Sequence, residues 1–323
     1  MSRPGLAASR SIDIIEFLAL SPEKEFTLSE IVRATQINNA SCYAVLNRLT
    51  DRGYLTRCPD QKTYSLGPAL IAMGQAGFKS QPIIARAKQA AESLFAELDV
   101  PVLLNTVVGE EILVVIALDD GSGRSPGMWV GERVPLVPPV GAAFLAWASD
   151  DAVDAWIAKR IPPPDAQLVE EWRRDLVLTR QRGYKVNIRA PNGPSLATLM
   201  AEMASGRHDA DYRDEVTRRI NSLDSSHRSQ PKRIVNDELY EVLLIAAPIF
   251  DQNGQATFNL CLGEFPQKLT GAMITNYADR LMQTCLDVMR ADRSQFRRRD
   301  GAAAESVSSH STRKMRVQPA AGK

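Results

Sequence analysis

A chain of 323 residues, 44% of them hydrophobic, has the length of two ordinary domains and enough apolar content to bury a core in each. Its 39 lysines and arginines nearly balance 38 aspartates and glutamates; the formal charge is +1, so any binding of a polyanion must be local. Cys42, Cys58, Cys261 and Cys285 form no CxxC pair and have no neighbouring histidine, which excludes zinc-site spacing and fits a reduced, cytoplasmic setting. No apolar run approaches the roughly 20 residues of a membrane helix, and MSRPGLAASRS lacks the apolar segment of a signal peptide.

Residues 9–20 place Ile12, Ile15, Leu18 and Ala19 on one stripe, which predicts a helix stopped at Ser21-Pro22. TLSE at 27–30 has capping-box spacing, with Thr27 as N-cap and Glu30 three residues later. It opens a short helix with Leu28, Ile31 and Val32 inward, ending near Thr35. After Gln36-Ile37-Asn38, a third helix capped by Asn38 or Asn39 sets Cys42, Val45, Leu46 and Leu49 on one face, and Gly53 is placed to end it. Its polar face shows Asn39, Ser41, Tyr43, Asn47 and Arg48, where a solvated helix carries Glu and Lys. YLTR (54–57) and TYSL (63–66) are β-prone runs joined through a Pro59-Asp60 turn. Three helices followed by a two-stranded hairpin is the order of a winged helix-turn-helix.

From Gly67 to Phe78 an apolar-rich helix (Leu70, Ile71, Met73) leads to a break at Ser80-Gln81-Pro82, and a long helix follows over Ile83–Leu98. VPVLLNTVV and EILVVIAL, joined at Gly109-Glu110, predict two antiparallel strands. Residues 141–159 and 165–182 return to helix, and Gly183–Val186 to strand. Residues 241–250 and 256–263 form a second hairpin around Asp251-Gln252-Asn253-Gly254, and a last helix spans about 270–291. This alternation predicts an α+β sensor domain on an antiparallel sheet. Residues 190–233 are polar and read as an insertion, partly helical or mobile. The tail from Asp292, with eight basic and three acidic residues, reads as disordered.

Little in the chain points to catalysis. His208 and His227 lie in the polar insertion and His310 in the tail, so no imidazole has a rigid setting. There is no GxSxG motif, and Gly121-Ser122-Gly123-Arg124-Ser125 lacks the lysine of a phosphate loop. No cofactor or metal is expected. Trp129, Trp147, Trp156 and Trp172 read as core or interface anchors.

The N-terminal stretch, from SRSIDIIEFLAL to YSLGPALIAMG, resembles the IclR-type bacterial transcriptional regulators. The resemblance is most specific in the TLSE helix start, the Leu49-x-x-x-Gly53-Tyr54-Leu55 exit and Tyr64-x-Leu66-Gly67. GAAFLAW, Arg182-Gly183-Tyr184 and Ile245–Asp251 resemble that family's GAF-like effector-binding domain, more loosely. The resemblance implies a winged helix-turn-helix over 1–66, a linker and dimerisation helix over 67–80, and a GAF-like effector-binding domain over 81–291. The insertion then covers about 190–233 and the basic disordered tail 292–323. It implies a regulator that binds double-stranded operator DNA as a homodimer or homotetramer, with no membrane partner, cytoplasmic and nucleoid-associated when on DNA. A small-molecule effector, a carboxylate with a hydrophobic part, would modulate it.

On that reading Asn39 and Asn47 pair with adenine, Arg48 with guanine or phosphate, and Ser41 and Tyr43 with phosphate or a base edge. Thr27, Arg52, Arg57 and Lys62 contact the backbone. Residues 1–66 hold eight basic and seven acidic side chains, so one module binds weakly and a dimer on two half-sites supplies affinity. Relatives usually carry Arg in the middle of the recognition helix, where this chain has Ala44, so an operator of its own is expected. In the sensor domain the family's His-Ala-Thr-like turn is replaced by Val137-Pro138-Pro139-Val140. The resemblance sets the effector against Pro139, Val140, Gly141 and Ala142, where a helix N-terminus faces a carboxylate. Its other walls are Asn187 (acidic in many relatives), Leu244 (often Cys), and Cys261 with Gly263 (often a Ser pair), replacements that predict a more apolar pocket. The alternatives are a winged-helix interaction module, in which Tyr43 and Asn47 touch protein, and a regulator without an effector.

Overall fold

Thr27 begins the N-terminal unit in two ways at once. As N-cap of α2 (Leu28–Thr35) its backbone N–H donates to Glu30 Oε2 at 2.7 Å, and its side chain accepts from the Glu30 N–H. As the end of β1 (Phe26–Thr27) it pairs antiparallel with Thr63 of β3 (Thr63–Leu66). With α1 (Leu6–Ala19), α3 (Asn39–Asp51) and β2 (Leu55–Cys58), these elements make a winged helix-turn-helix whose small sheet has the order β1-β3-β2. The wing is thus three-stranded, where the sequence predicts two strands; a two-residue strand is too short to show an alternation. Asn38, the first of the two candidates, caps α3 by accepting from the Ser41 N–H at 2.9 Å. Ile14, Leu18, Ile31, Cys42, Leu46, Leu55 and Tyr64 close the core, with the Phe17 and Phe26 rings beside it, 4.7 Å apart and tilted by 57°.

The computed structural model describes residues 5–119, 128, 130–188, 216–218, 220 and 230–313, with side chains through Asp292. After the wing, α4 (Pro68–Ser80) and α5 (Pro82–Leu98) run consecutively, both opened by proline. The C-terminal domain is a six-stranded, wholly antiparallel sheet of β4 (Val102–Val108), β5 (Glu111–Leu118), β6 (Arg133–Pro135), β7 (Lys185–Ile188), β9 (Val242–Phe250) and β10 (Ala256–Gly263). Its order is β6-β5-β4-β10-β9-β7. β8 (Leu239–Tyr240) pairs separately with β11 (Leu269–Thr270). The chain is α+β, as the sequence predicts.

Strand alternation divides the domain into two cores. Val102, Leu104, Ile245, Ala247, Leu260 and Leu262 point to one face and meet α5 and the last helix, α9 (Gly271–Arg313). The other face is covered by α6 (Ala142–Leu145), α7 (Asp150–Ile157) and α8 (Ala166–Arg182), with Trp156 and Trp172 buried among them. The single helix predicted over 141–159 is two, because Ser149 leaves the helical path to cap α7, accepting from the Ala152 N–H at 3.3 Å. The last helix continues past residue 291 to Arg313, where a disordered tail was expected; the run Ala302–Ala304 favours helix. Of the insertion, residues 216–218 are helical, and Val216 and Ile220 are buried against the second core. The rest of 190–229, and the glycine-rich 121–125, lie outside the described residues. No helix among the described residues is long and apolar enough to cross a membrane.

Candidate nucleic-acid interface and effector face

The buried side of α3 is fixed by Cys42, Leu46 and Leu49, which leaves Asn39, Tyr43, Ala44 and Arg48 exposed and Ser41 and Asn47 half-buried. Burial pushes the Cys42 thiol above its ordinary range, in keeping with a packing role. Ser41 is held from behind, since Arg10 of α1 donates to its hydroxyl at 3.2 Å. Arg10 was not among the predicted site residues. Thr27 spends its hydroxyl inside the protein, donating to Glu30 Oε2 at 2.7 Å. These bonds from Thr27, its backbone N–H first, lower the Glu30 pKa and keep it a carboxylate. What Thr27 offers a ligand is therefore the start of α2, not a free hydroxyl. On the wing, Arg57 lies over the Tyr64 ring at 5.7 Å from its centroid, and Lys62 takes a left-handed φ of 56° at the turn. Arg52 caps the C-terminal end of α3 and is exposed. One surface thus carries Asn39, Tyr43, Asn47 and Arg48, flanked by Arg52, with Arg57 and Lys62 on the wing.

The predicted effector residues separate into a turn and a sheet face. Pro139, Val140 and Gly141 form the turn before α6, with a cis bond between Pro138 and Pro139. It is held from behind by the Trp156 indole, which donates to the Val140 carbonyl at 2.9 Å, and by Arg160, which donates to the Pro138 carbonyl at 3.1 Å. Gly141 has φ 90°, and a Cβ there would stand 2.1 Å from Leu136 Cδ1, so only glycine fits. α6 has only four residues, and the Phe144 and Leu145 N–H groups bond back to Gly141 at 2.8 and 3.1 Å. The macrodipole expected there is accordingly small. Ala142 turns into the second core, while Ala143 packs on the sheet.

On the sheet, register brings Asn187, Leu244 and Gly263 into one cross-strand row of β7, β9 and β10. The next row on that face is Lys185, Ala246, Cys261, Leu103 and Ala117; a third holds Pro248, Asn259, Asn105 and Val114. Residues directly opposite share a face, so Asn187, Leu244, Cys261 and Gly263 belong together. Leu103, Val114, Ala246 and Cys261 form a small buried cluster there, with Met128 and Ala143 against it. Burial alone drives the Cys261 thiol up to about 12, against a weak Asn105 bond, so the sulfur stays protonated. Burial also pulls the Lys185 ammonium below its ordinary range, while Asp175 at 3.1 Å opposes the shift.

Sequence reasoning missed two members of this face. Asn105 and Asn259 stand directly opposite each other on β4 and β10, both buried, within stretches read only as apolar strands. They make the face more polar than the replaced hydroxyls and acid imply. The available signal was one asparagine at an alternating position in each strand.

Residues 7–59 match the model of the IclR helix-turn-helix domain. The curated relative "HTH-type transcriptional regulator KdgR" of Dickeya chrysanthemi is 23% identical over 171 residues, 51% of this chain and 56% of that protein, so the likeness spans about half of each. An IclR transcriptional regulator from Alicyclobacillus acidocaldarius shares the fold with a TM-score of 0.62 at 17% identity, over 90% of this chain and 99% of that one. An IclR homologue from Microbacterium hydrocarbonoxydans, solved with 4-hydroxybenzoate, matches at 0.58 and 18% identity over 88% and 99%. Residues 7–59 are thus an IclR-type helix-turn-helix, and the chain as a whole shares the two-domain fold of the solved IclR regulators.

Proposed function

We propose that the protein binds operator DNA through α3 and the wing, as a dimer or tetramer, and that a small effector acting on the C-terminal sheet modulates it. The observation that carries the DNA reading is the exposed face of α3. Tyr43 is 46% exposed on a helix whose opposite side is fully buried, and Asn47 and Arg48 stand beside it. In the major groove Asn39 and Asn47 are adenine readers, Arg48 a guanine or phosphate contact, and Ser41, Tyr43, Arg52, Arg57 and Lys62 position the helix and wing. Self-association is supported by α4, which buries no residue within the chain and leaves Ile71 70% and Met73 55% exposed. A solvent-facing helix of that composition needs a partner, and a second copy supplies the second half-site.

The effector is assigned to the face carrying Asn187, Leu244, Cys261 and Gly263 beneath Pro139–Ala142. The relative holding 4-hydroxybenzoate supports a small aromatic acid there, an acidic group joined to an apolar body. The deciding experiment titrates the purified protein onto the intergenic DNA upstream of its own coding sequence, with wild type and Arg48→Ala, across a salt series. Sequence-specific binding weakened by Arg48→Ala is expected, with a shallow salt dependence from few phosphate contacts. Equal affinity for unrelated DNA at low salt would leave the interaction-module reading in its place.

A further inference from the structure

Buried polar atoms in a folded domain nearly always have partners, because an unpaired one bears its full desolvation penalty. Three side-chain carbonyl oxygens on the covered face of the C-terminal sheet depart from this: Asn105 Oδ1, Asn259 Oδ1 and Asn187 Oδ1. Asn105 is 7% exposed and Asn259 2%, and the two face each other across β4 and β10. Asn187 lies two rows away, on β7. The one partner in reach is poor, since Asn105 Nδ2 donates to the Cys261 sulfur at 3.5 Å. Turning that amide over would exchange an unpaired oxygen for an unpaired nitrogen, so rotation does not resolve the deficit. Between and around the facing amides stand Leu103, Val114, Ala246 and Leu244, with the Lys185 ammonium, held by Asp175, farther out on β7.

We infer that the paired amides of Asn105 and Asn259 are the polar end of the effector site and take a neutral hydrogen-bond donor, a hydroxyl or amide N–H carried on a compact apolar body. The inference rests on the proposal that this face binds an effector, and it names the chemistry that the face selects. Two carbonyl oxygens beside a protonated thiol disfavour an anion at this end; an alcohol or phenol O–H satisfies an oxygen directly. The oxygens are buried, and Met128 and Ala143 of α6 pack against the neighbouring cluster. Ligand entry therefore has to displace side chains of this cover, and filling the amides favours the displaced state.

The test uses the full chain and two matched probe pairs, phenol with anisole and benzyl alcohol with benzyl methyl ether, followed by thermal shift and titration calorimetry. Each ether keeps the body and removes the donor. At least one hydroxyl compound is expected to bind ten times more tightly than its ether, and Asn105→Leu and Asn259→Leu are each expected to abolish that preference. Both variants are checked for operator binding without probe, which reports that they fold; a variant that fails it is replaced by Asn105→Ala or Asn259→Ala. Equal binding of alcohol and ether, no binding by any of the four, or a preference that survives the substitutions overturns the inference. If the wild type fails to bind operator DNA yet shows the donor preference, the regulator reading falls and this one stands. Operator binding without donor preference does the reverse.

Discussion

Arg133 on β6 donates to Glu16 on α1 at 2.9 Å and to Glu111 on β5 at 3.4 Å. One guanidinium thus joins the edge strand of the C-terminal sheet to the first helix of the N-terminal unit. β6 continues within three residues into the turn at Pro138–Gly141, so the bridge and that turn share one short segment.

The bridge is partly exposed, Arg133 at 24% and Glu16 at 36% of their side chains, so its energy is modest. A double-mutant cycle with Arg133→Ala and Glu16→Gln, read by urea unfolding, should give a coupling of about 0.2–1 kcal/mol. It should shrink as salt is raised. Zero coupling at low salt would mean that this pair adds nothing to stability.

Asn47→Ala and Arg57→Ala should weaken operator binding in different ways. Loss of a base-reading amide is expected to cost about 1–3 kcal/mol on the preferred operator and little on unrelated DNA. Loss of a wing phosphate contact should weaken both alike and lower the salt slope by about one. Neither change touches the core of Ile14, Ile31 and Leu46, so thermal midpoints should stay within about a degree or two. Fluorescence anisotropy on two DNAs at several salt concentrations separates the cases.

Gly53 and Gly67 are required for different reasons. At Gly53, φ is 70° but a Cβ would meet only Ala69 Cβ at 3.8 Å, so Gly53→Ala should cost about 1 kcal/mol through backbone strain. At Gly67 a Cβ would lie 2.2 Å from the Gly53 carbonyl oxygen and 2.7 Å from the Tyr54 carbonyl carbon, both backbone atoms that cannot step aside cheaply. Gly67→Ala should cost at least about 1–3 kcal/mol, the larger loss of the two. Thermal unfolding of the two variants ranks them; the opposite order would refute the close approach.

Cysteine titration supplies the pH prediction. Burial raises the Cys285 thiol well above its ordinary value and lifts Cys261 to about 12. Both are neutral at pH 7 in folded and unfolded chains, so stability is insensitive there. Above about pH 9 the unfolded thiols ionise and the folded ones do not. Stability should then fall by about 1.4 kcal/mol per pH unit per thiol, for Cys261 until about pH 12. In the native protein at pH 8, half-buried Cys58 should react with a thiol reagent first, and Cys42, Cys261 and Cys285 only as the chain unfolds.

Much of this was legible in the residues, and the failures share a cause. Helices α1 to α3 announce themselves by stripe and cap, and the β4–β5 and β9–β10 hairpins by apolar runs around a turn. What escaped is defined by partners distant in sequence. β1 exists because Phe26 finds Tyr64, β6 because Val134 finds Ile112, and β8 because Tyr240 finds Leu269. None has enough residues to show a period. In the site, Asn187, Leu244, Cys261 and Gly263 fell together through family likeness. Asn105 and Asn259 did not, because their pairing depends on β4 and β10 being neighbours, and the whole of 109–255 lies between those strands. Arg10, which holds Ser41, and Arg133, which reaches Glu16, were hidden for the same reason.

The tight seat of Gly67 also bears on how DNA binding is tuned. The Gly67 N–H bonds to the Tyr54 carbonyl at 2.7 Å and the Ala69 N–H to the Gly53 carbonyl at 3.0 Å, so the wing and α4 form a single stiff arm. Its joint is Gln81, at once the C-cap of α4 and the N-cap of α5, with φ −122° and ψ 78°. The 13 residues of α4 make that arm about 20 Å long. A swing of about ten degrees at Gln81 therefore carries its far end roughly 3.4 Å, one base step along a DNA strand. In the proposed dimer, half-site spacing would thereby follow the backbone angle of one glutamine.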